Sequence, residues 1–251
     1  MAEYETIRRA EGRGSDDSRY YRALPFADRS GRFSADWQIR AQSFRVLLDK
    51  VVTRLEQERR RPLRILDLGA GNGWLSYRLA LRGHSAAAVD LQVNEFDGLG
   101  AHGHYDAPFT PVQASFDRLP FAPRQADLVI FNASLHYATR FEPVLKEAME
   151  VISAGALAVV DTPVYHDAAS GAQMVREREA RFRATHGFPS NALESENYLT
   201  YGRLQALEQS LCLSWKLFWP VWRGRRAVRR WRARLRGHRQ PAQFPVVVGW
   251  L

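Results

Sequence analysis

The chain has 251 residues, of which 45% are hydrophobic and 25% charged, with a formal net charge of +9. That composition excludes global disorder and suits one large core. A single cysteine excludes an intrachain disulfide and a cysteine-rich zinc site, and fits a reducing compartment. The charge is uneven. After Glu208 there is no acidic residue, and nine arginines and Lys216 give that segment +10, which leaves −1 for the rest. Any anionic partner is therefore expected at that segment. The first 30 residues carry charges throughout and no apolar h-region, and no run of 18 apolar residues occurs, so a cytoplasmic protein is expected.

In chain order, residues 1–33 read as a polar arm with little regular structure. From Ser34 to about Arg60 the spacing of Trp37, Phe44, Leu47, Leu48, Val51 and Leu55 predicts one apolar helix face, with Ser34 as N-cap and Pro62 as the stop. Arg64–Leu68 reads as a buried strand, followed by the turn Gly69-Ala70-Gly71-Asn72-Gly73 and a helix from about Trp74 to Leu81. Further strands are expected at 85–89, 111–114, 127–131 and 156–161, with a helix at 143–152. Residues 162–198 lack a strand pattern, although 174–185 looks helical and very polar. A helix at 199–211 and strands at 213–219 and 244–250 complete the chain. Cys212 reads as a small core residue on an apolar stretch. The alternation predicts an α/β, Rossmann-like seven-stranded, mostly parallel sheet with helices on both faces.

The glycine turn lets backbone approach a ligand closely, and the helix after it aims its first amides there. The spacing is G-x-G-x-G, with Trp74 where a dinucleotide fold has its third glycine. Such a turn suits a ligand without a pyrophosphate. Asp90, 21 residues after Gly69, ends the second strand, where a carboxylate can accept from both ribose hydroxyls. Asp67 lies inside the first strand, where an unpaired charge is costly; a water or the loop amides are its expected partners.

These segments resemble the class I methyltransferases that use S-adenosylmethionine. "ILDLGAGNGWLSYRLA" at 65–80 looks like their first motif, and "AVD" at 88–90 like their ribose-binding acidic end. "QASFDRLPF" at 113–121 is similar to the adenine-holding segment of the small-molecule branch that contains the ubiquinone and menaquinone biosynthesis enzymes. "ADLVIFNASLHY" at 126–137 and "GALAVVDTPVY" at 155–165 resemble their fourth and fifth strands. The resemblance covers about 64–165. It implies S-adenosylmethionine as cofactor, with Gly69, Ala70, Gly71 and Gly73 cradling its methionine part and Asp67 supporting the turn. Asp90 would hold the ribose, with Leu91 beside it. Ser115 and Phe116 would meet the adenine, Ser115 standing where the family often has Asp. Asn132 and Ala133 would line the methionine end with carbonyls.

Methyl transfer from a sulfonium is a direct displacement, and a hydroxyl acceptor needs a base. His136 follows the fourth strand, and Tyr165, His166 and Asp167 follow the fifth; His136, Tyr165 and His166 are the catalytic candidates. Tyr20 and Tyr21 are candidates for a lid. His102, His104 and Asp106 form an H-x-H-x-D string that reads as a solvated loop, and no metal is expected. Asn132-Ala133-Ser134-Leu135 lacks the Pro-Pro-aromatic string of enzymes that methylate DNA amino groups.

The expected organisation is an N-terminal arm and helix at 1–62, a possible lid, and a cofactor-binding domain at 63–251. The domain carries a substrate-lid insertion at 162–198 and an Arg-rich amphipathic insertion at 221–240. Within the latter, Val228, Trp231 and Leu235 share a face with arginines elsewhere. A solvated helix, attachment to an anionic membrane surface through 222–239, and RNA binding compete for it. The sequence thus predicts methyl transfer to a small, lipophilic or aromatic acceptor at oxygen or carbon. An RNA methyltransferase and a non-catalytic cofactor-binding protein are the alternatives.

Overall fold

The computed structural model describes residues 2–190, 194–220 and 239–251. The predicted Arg-rich helix lies outside the described residues, apart from its end at Arg239 and Gln240.

Seven strands form one sheet: β1 (Arg64–Leu68), β2 (Ser85–Asp90), β3 (Thr110–Gln113), β4 (Ala126–Asn132), β5 (Ile152–Val160), β8 (Trp215–Phe218) and β9 (Val246–Trp250). Their order is β3-β2-β1-β4-β5-β9-β8. All neighbours from β3 to β5 pair parallel, and β9 runs antiparallel to both β5 and β8. The order reverses between β1 and β4, which opens a crevice at the carboxyl ends of those strands.

Alternation along each strand feeds two cores. Leu66, Leu68, Val129, Phe131, Leu157 and Val159 point to one face, under α6 (Phe141–Glu150) and α8 (Tyr201–Leu211). Ile65, Leu128, Ile130, Ala156, Ala158 and Val160 point to the other, under α3 (Ser34–Leu47), α4 (Thr53–Arg59) and α5 (Trp74–Leu81). Burial on both faces is why these strands read as near-continuous apolar runs.

Several expectations need correction. The arm is not irregular: it forms α1 (Ala2–Ala10) and α2 (Ser18–Ala23). The Asp17 carboxylate caps α2 by accepting from Arg19 N at 2.8 Å, and Tyr20, Tyr21 and Leu24 are buried in the second core. Ser34 is not an N-cap. Asp28 organises that start, accepting from Phe33 N at 2.7 Å and from Ser34 Oγ at 3.2 Å. α3 and α4 are joined by a wide π turn at Leu48–Val52, and the run stops at Arg60, in the left-handed conformation, before Pro62. Residues 162–198 are not strand-free: β6 (Val164–Tyr165) pairs with β7 (Leu199–Thr200), with α7 (Ala168–His186) between them. Cys212 is not a core residue. It ends α8 in the left-handed conformation, exposed.

Candidate cofactor and acceptor site

The crevice is built around three glycines. Gly69, Gly71 and Gly73 have φ of +71°, +55° and +79°, where side chains are strained. A Cβ on Gly69 would strike Ser134, whose hydroxyl donates to the Leu68 carbonyl. One on Gly73 would lie 2.6 Å from the Phe109 ring. A Cβ on Gly71 would find nothing nearer than the Asp97 carbonyl at 3.4 Å, so the turn has one open side there.

Asp90 meets that open side. Its Oδ2 accepts from Gly71 N at 2.8 Å and its Oδ1 from Gln92 N at 2.8 Å. Each oxygen keeps a lone pair, so the carboxylate fits a ribose diol. Burial raises its pKa, and the two backbone N–H groups act against that rise. Ala114 N donates to Asp90 O, and Gln113 Nε2 to Leu91 O, which sets the Ser115–Phe116 loop beside Leu91. Leu91 is an exposed apolar side chain, and the Phe116 ring reaches toward Gly69 with its other side edge-on to Phe131. Those surfaces fit an adenine. The Asn132 Oδ1, at the carboxyl end of β4, is buried without a partner among the described residues. Ala133, held at φ 54° by its N–H bond to Val160 O, follows it. The residues present therefore fit S-adenosylmethionine.

Asp67 does not use the loop amides. Its Oδ2 accepts from Ser76 Oγ at 3.0 Å, and the Ser76 N–H, three residues into α5, also points at it. Two side chains serve the first turn of α5: Asn72 Oδ1 accepts from Trp74 N at 3.2 Å, and the Asp67 carboxyl from the Ser76 N–H. Asp67 is wholly buried, its Oδ1 has no partner among the described residues, and burial pushes its pKa up to about 7.

The catalytic candidates differ in their surroundings. His136, in the turn after β4, stands near Arg40 of α3 and Arg178 of α7; burial, then these two charges, push its pKa down to about 3. Its Nδ1 is buried without a partner among the described residues. Tyr165 is buried edge-on to Tyr198 and near Arg239. His166 is exposed against the Tyr201 ring, and Asp167 caps α7 by accepting from Ser170 N at 2.6 Å. Tyr20 and Tyr21 are buried; the Tyr21 hydroxyl donates to Phe96 O at 2.6 Å. His102 and His104 bond to Leu99 O and Ser18 Oγ, and Asp106 accepts from the Tyr77 hydroxyl.

Sequence reasoning missed Arg40, Ser43 and Asp161. Ser43 is fully buried and its hydroxyl donates to Asp161 Oδ1 at 2.5 Å. Asp161 follows β5 at φ 53°, and its Oδ2 has no partner among the described residues. The available signal was two polar residues, Arg40 and Ser43, at helical spacing on the stripe that holds Trp37, Phe44 and Leu47.

Residues 66–160 match a family model described as a methyltransferase domain. The matched stretch contains the glycine turn, Asp90 and the ends of β4 and β5, and it is similar to the methyltransferase domains that use S-adenosylmethionine as cofactor. Among curated proteins it is similar to a malonyl-[acyl-carrier protein] O-methyltransferase of Geobacter sulfurreducens, 27% identical over 161 residues, which are 63% of this chain and 58% of that one. A protein of the same name from Buchnera aphidicola is 28% identical over 117 residues, 47% of this chain and 44% of that one. The chain thus spans about half the length of the curated relatives it matches. Among solved structures, the YcgJ protein from Bacillus subtilis superposes with a TM-score of 0.53 at 14% identity, covering 83% of this chain and 96% of that one. A geranyl diphosphate methyltransferase superposes at 0.51 and 16% identity, covering 75% and 71%. Both share the fold. Among the described residues no helix is long and apolar enough to cross a membrane.

Proposed function

We propose that this chain transfers the methyl group of S-adenosylmethionine to an oxygen of a small-molecule acceptor. The observation that carries the reading is Asp90 at the carboxyl end of β2, hydrogen-bonded to Gly71 and open toward the crevice. When bound there, the cofactor supplies an activated methyl group on a sulfonium. Gly69, Ala70, Gly71 and Gly73 give it backbone contacts, Asp90 the ribose contacts, and Leu91, Ser115 and Phe116 the adenine contacts. Asn132 and Ala133 hold the amino-acid end. Trp74, 4% exposed, fills the place a pyrophosphate turn keeps open, which supports this ligand over a dinucleotide.

The acceptor oxygen is one that needs little help from a base. His136 is neutral above about pH 3 and is a weak proton acceptor between two guanidinium groups. A carboxylate oxygen is already a nucleophile at neutral pH, and the relatives' name specifies O-methylation of a malonyl group on a carrier protein. We propose the same kind of acceptor here, with His136, Tyr165 and His166 as the candidate residues around it.

Calorimetric titration with S-adenosylhomocysteine tests the cofactor half, with NADH as control and Asp90→Ala alongside. Saturable binding that weakens at least tenfold in the variant is expected. Absence of binding, or preference for NADH, overturns the reading. Transfer of labelled methyl to malonyl-pantetheine, released by mild base as methanol, tests the acceptor half.

A further inference from the structure

Arg40 is a half-buried guanidinium with no ion pair among the described residues; the carboxylates of Asp161 and Asp97 act on it from farther off. It lies one helical turn from Trp37 and one from Ser43, on the same face of α3. Trp37 packs edge-on to Trp74, the first residue of α5, with ring centres 5.9 Å apart. Ser43 is tied to Asp161 after β5. The helix therefore sets Arg40 between the glycine turn and the end of β5, its guanidinium 4.6 Å over the Trp37 indole. Among the described residues no carboxylate lies within 4.0 Å of it and no hydrogen bond holds it. Around it are buried polar atoms that also lack partners there: Asp161 Oδ2, Thr162 Oγ1 and His136 Nδ1. Thr162 is 2% exposed and Asp161 7%, so water does not readily stand in for those partners.

Outward from Arg40 the protein is cationic. A cleft of about 630 Å³ opens between the end of α1 and the loop before α3. Four arginines line it, Arg9, Arg13, Arg29 and Arg32, with two carboxylates, Asp16 and Asp17; Arg9 pairs with Glu5, Arg13 with Glu11 and Asp36, and Asp17 with Arg19, while Arg29 and Arg32 make no ion pair among the described residues. Tyr20 forms its inner wall, and the charges of Arg13 and Arg40 both act on that phenol. Phe96 forms another wall, one residue before the Asp97 carbonyl that faces Gly71. The cleft and the cofactor turn thus share a wall only two residues deep.

We propose that this cleft admits the acceptor, that the acceptor is an organic anion, and that Arg40 receives its charged group. The inference rests on the methyl-transfer reading above. A partly desolvated guanidinium pairs with a carboxylate or phosphate through two parallel bonds, stronger than the same pair in water. Stacking on Trp37 holds its plane in place for that pairing. The arginines at the mouth raise the local concentration of anions without touching the reacting atoms.

The test compares acids with their neutral methyl esters on the full chain, by calorimetry, with and without S-adenosylhomocysteine. The probes are malonyl-pantetheine and 4-hydroxybenzoate. At least one acid is expected to bind wild type about tenfold tighter than its ester. Arg40→Gln abolishes that preference and leaves S-adenosylhomocysteine affinity within about twofold, while Arg40→Lys retains part of it. Arg29→Gln with Arg32→Gln weakens acid binding several-fold at low salt and not at high salt. The proposal is overturned if neither acid is preferred to its ester, or if the preference survives in Arg40→Gln. Failure of wild type to bind S-adenosylhomocysteine sinks the methyl-transfer reading alone, because the comparison of acid and ester also runs without it.

Discussion

Replacing Asp67 by Asn should make the protein more stable at pH 8 and should remove a downward slope of stability with pH. Asp67 is wholly buried, and its pKa stands at about 7 against 3.8 for the free side chain. Below 3.8 the carboxyl is neutral folded and unfolded, and contributes no pH dependence. Between 3.8 and about 7 the unfolded chain releases its proton and the folded chain keeps it, so stability falls as pH rises. At about 1.4 kcal/mol per unit, three units amount to about 4 kcal/mol, complete once pH passes the folded value. Asn cannot ionise. Its amide oxygen can still accept from Ser76, and its amide nitrogen replaces the oxygen that has no partner. Urea unfolding of both proteins at half-unit steps from pH 5 to 8.5 measures the difference. The variant should gain on wild type steadily through pH 7 and then level off. A constant difference, or a variant that loses ground as pH rises, would refute the assigned ionisation. Other carboxyls shift in both directions, Asp90 upward and Asp127 downward, but they are common to both proteins and largely cancel.

Three further outcomes follow from single contacts. Asp127 at the start of β4 accepts from Arg61 at 2.7 and 2.9 Å and from Arg64 N at 2.8 Å, with its side chain 1% exposed. Asp127→Ala should cost about 3 kcal/mol in urea unfolding at pH 7. Its pKa is held below 3.8 despite burial, by Arg61 and Arg64, so its contribution is present above that value and disappears as acid protonates it. Gly73→Ala forces a side chain into the left-handed region and onto the Phe109 ring; a loss of about 2 kcal/mol in the same assay, with weaker S-adenosylhomocysteine binding, is expected. Methyl transfer from pH 5.5 to 8 should show no limb from His136, which remains neutral throughout that range, and His136→Gln should leave the shape of the profile unchanged. A limb near pH 6.5 that disappears in the variant would show that His136 titrates as a base.

The sheet was legible because its central strands are short apolar runs, each followed by glycine, aspartate or a helix signal. Arg64–Leu68 and Trp74–Leu81 have the boundaries read from the sequence. The N-terminal helices were not legible because nine and six residues are too few to be stable alone. Contacts distant in sequence hold them: Arg78 donates to Leu24 O and Arg22 O, each at 2.6 Å, and Arg8 pairs with Asp97. The pairing of Val164–Tyr165 with Leu199–Thr200 escapes a periodicity reading for the same reason, since two residues carry no period. At the site, Asp90 and the glycines announce themselves by spacing within one βαβ unit. Asp161 and Arg40 do not, because only the docking of α3 on the sheet brings residues 40 and 161 together.

That division also separates what the relatives can say about this chain from what they cannot. The family match covers 66–160 and contains each of the residues proposed to hold the cofactor. Arg40, Asp161, Arg178 and the four arginines of the cleft fall outside it, whereas the cleft wall at Phe96 falls inside. In the proposed reading the cofactor contacts lie within that stretch, and the charged group of the acceptor is held from outside it by Arg40, the two sites sharing the wall at Phe96 and Asp97. If that is so, the two functions separate on mutation. Asp90→Ala should weaken S-adenosylhomocysteine and leave the preference for acid over ester intact, whereas Arg40→Gln should do the reverse. Loss of both properties in either variant would mean that the wall is not a boundary, and that one ordered pocket depends on all of these residues together.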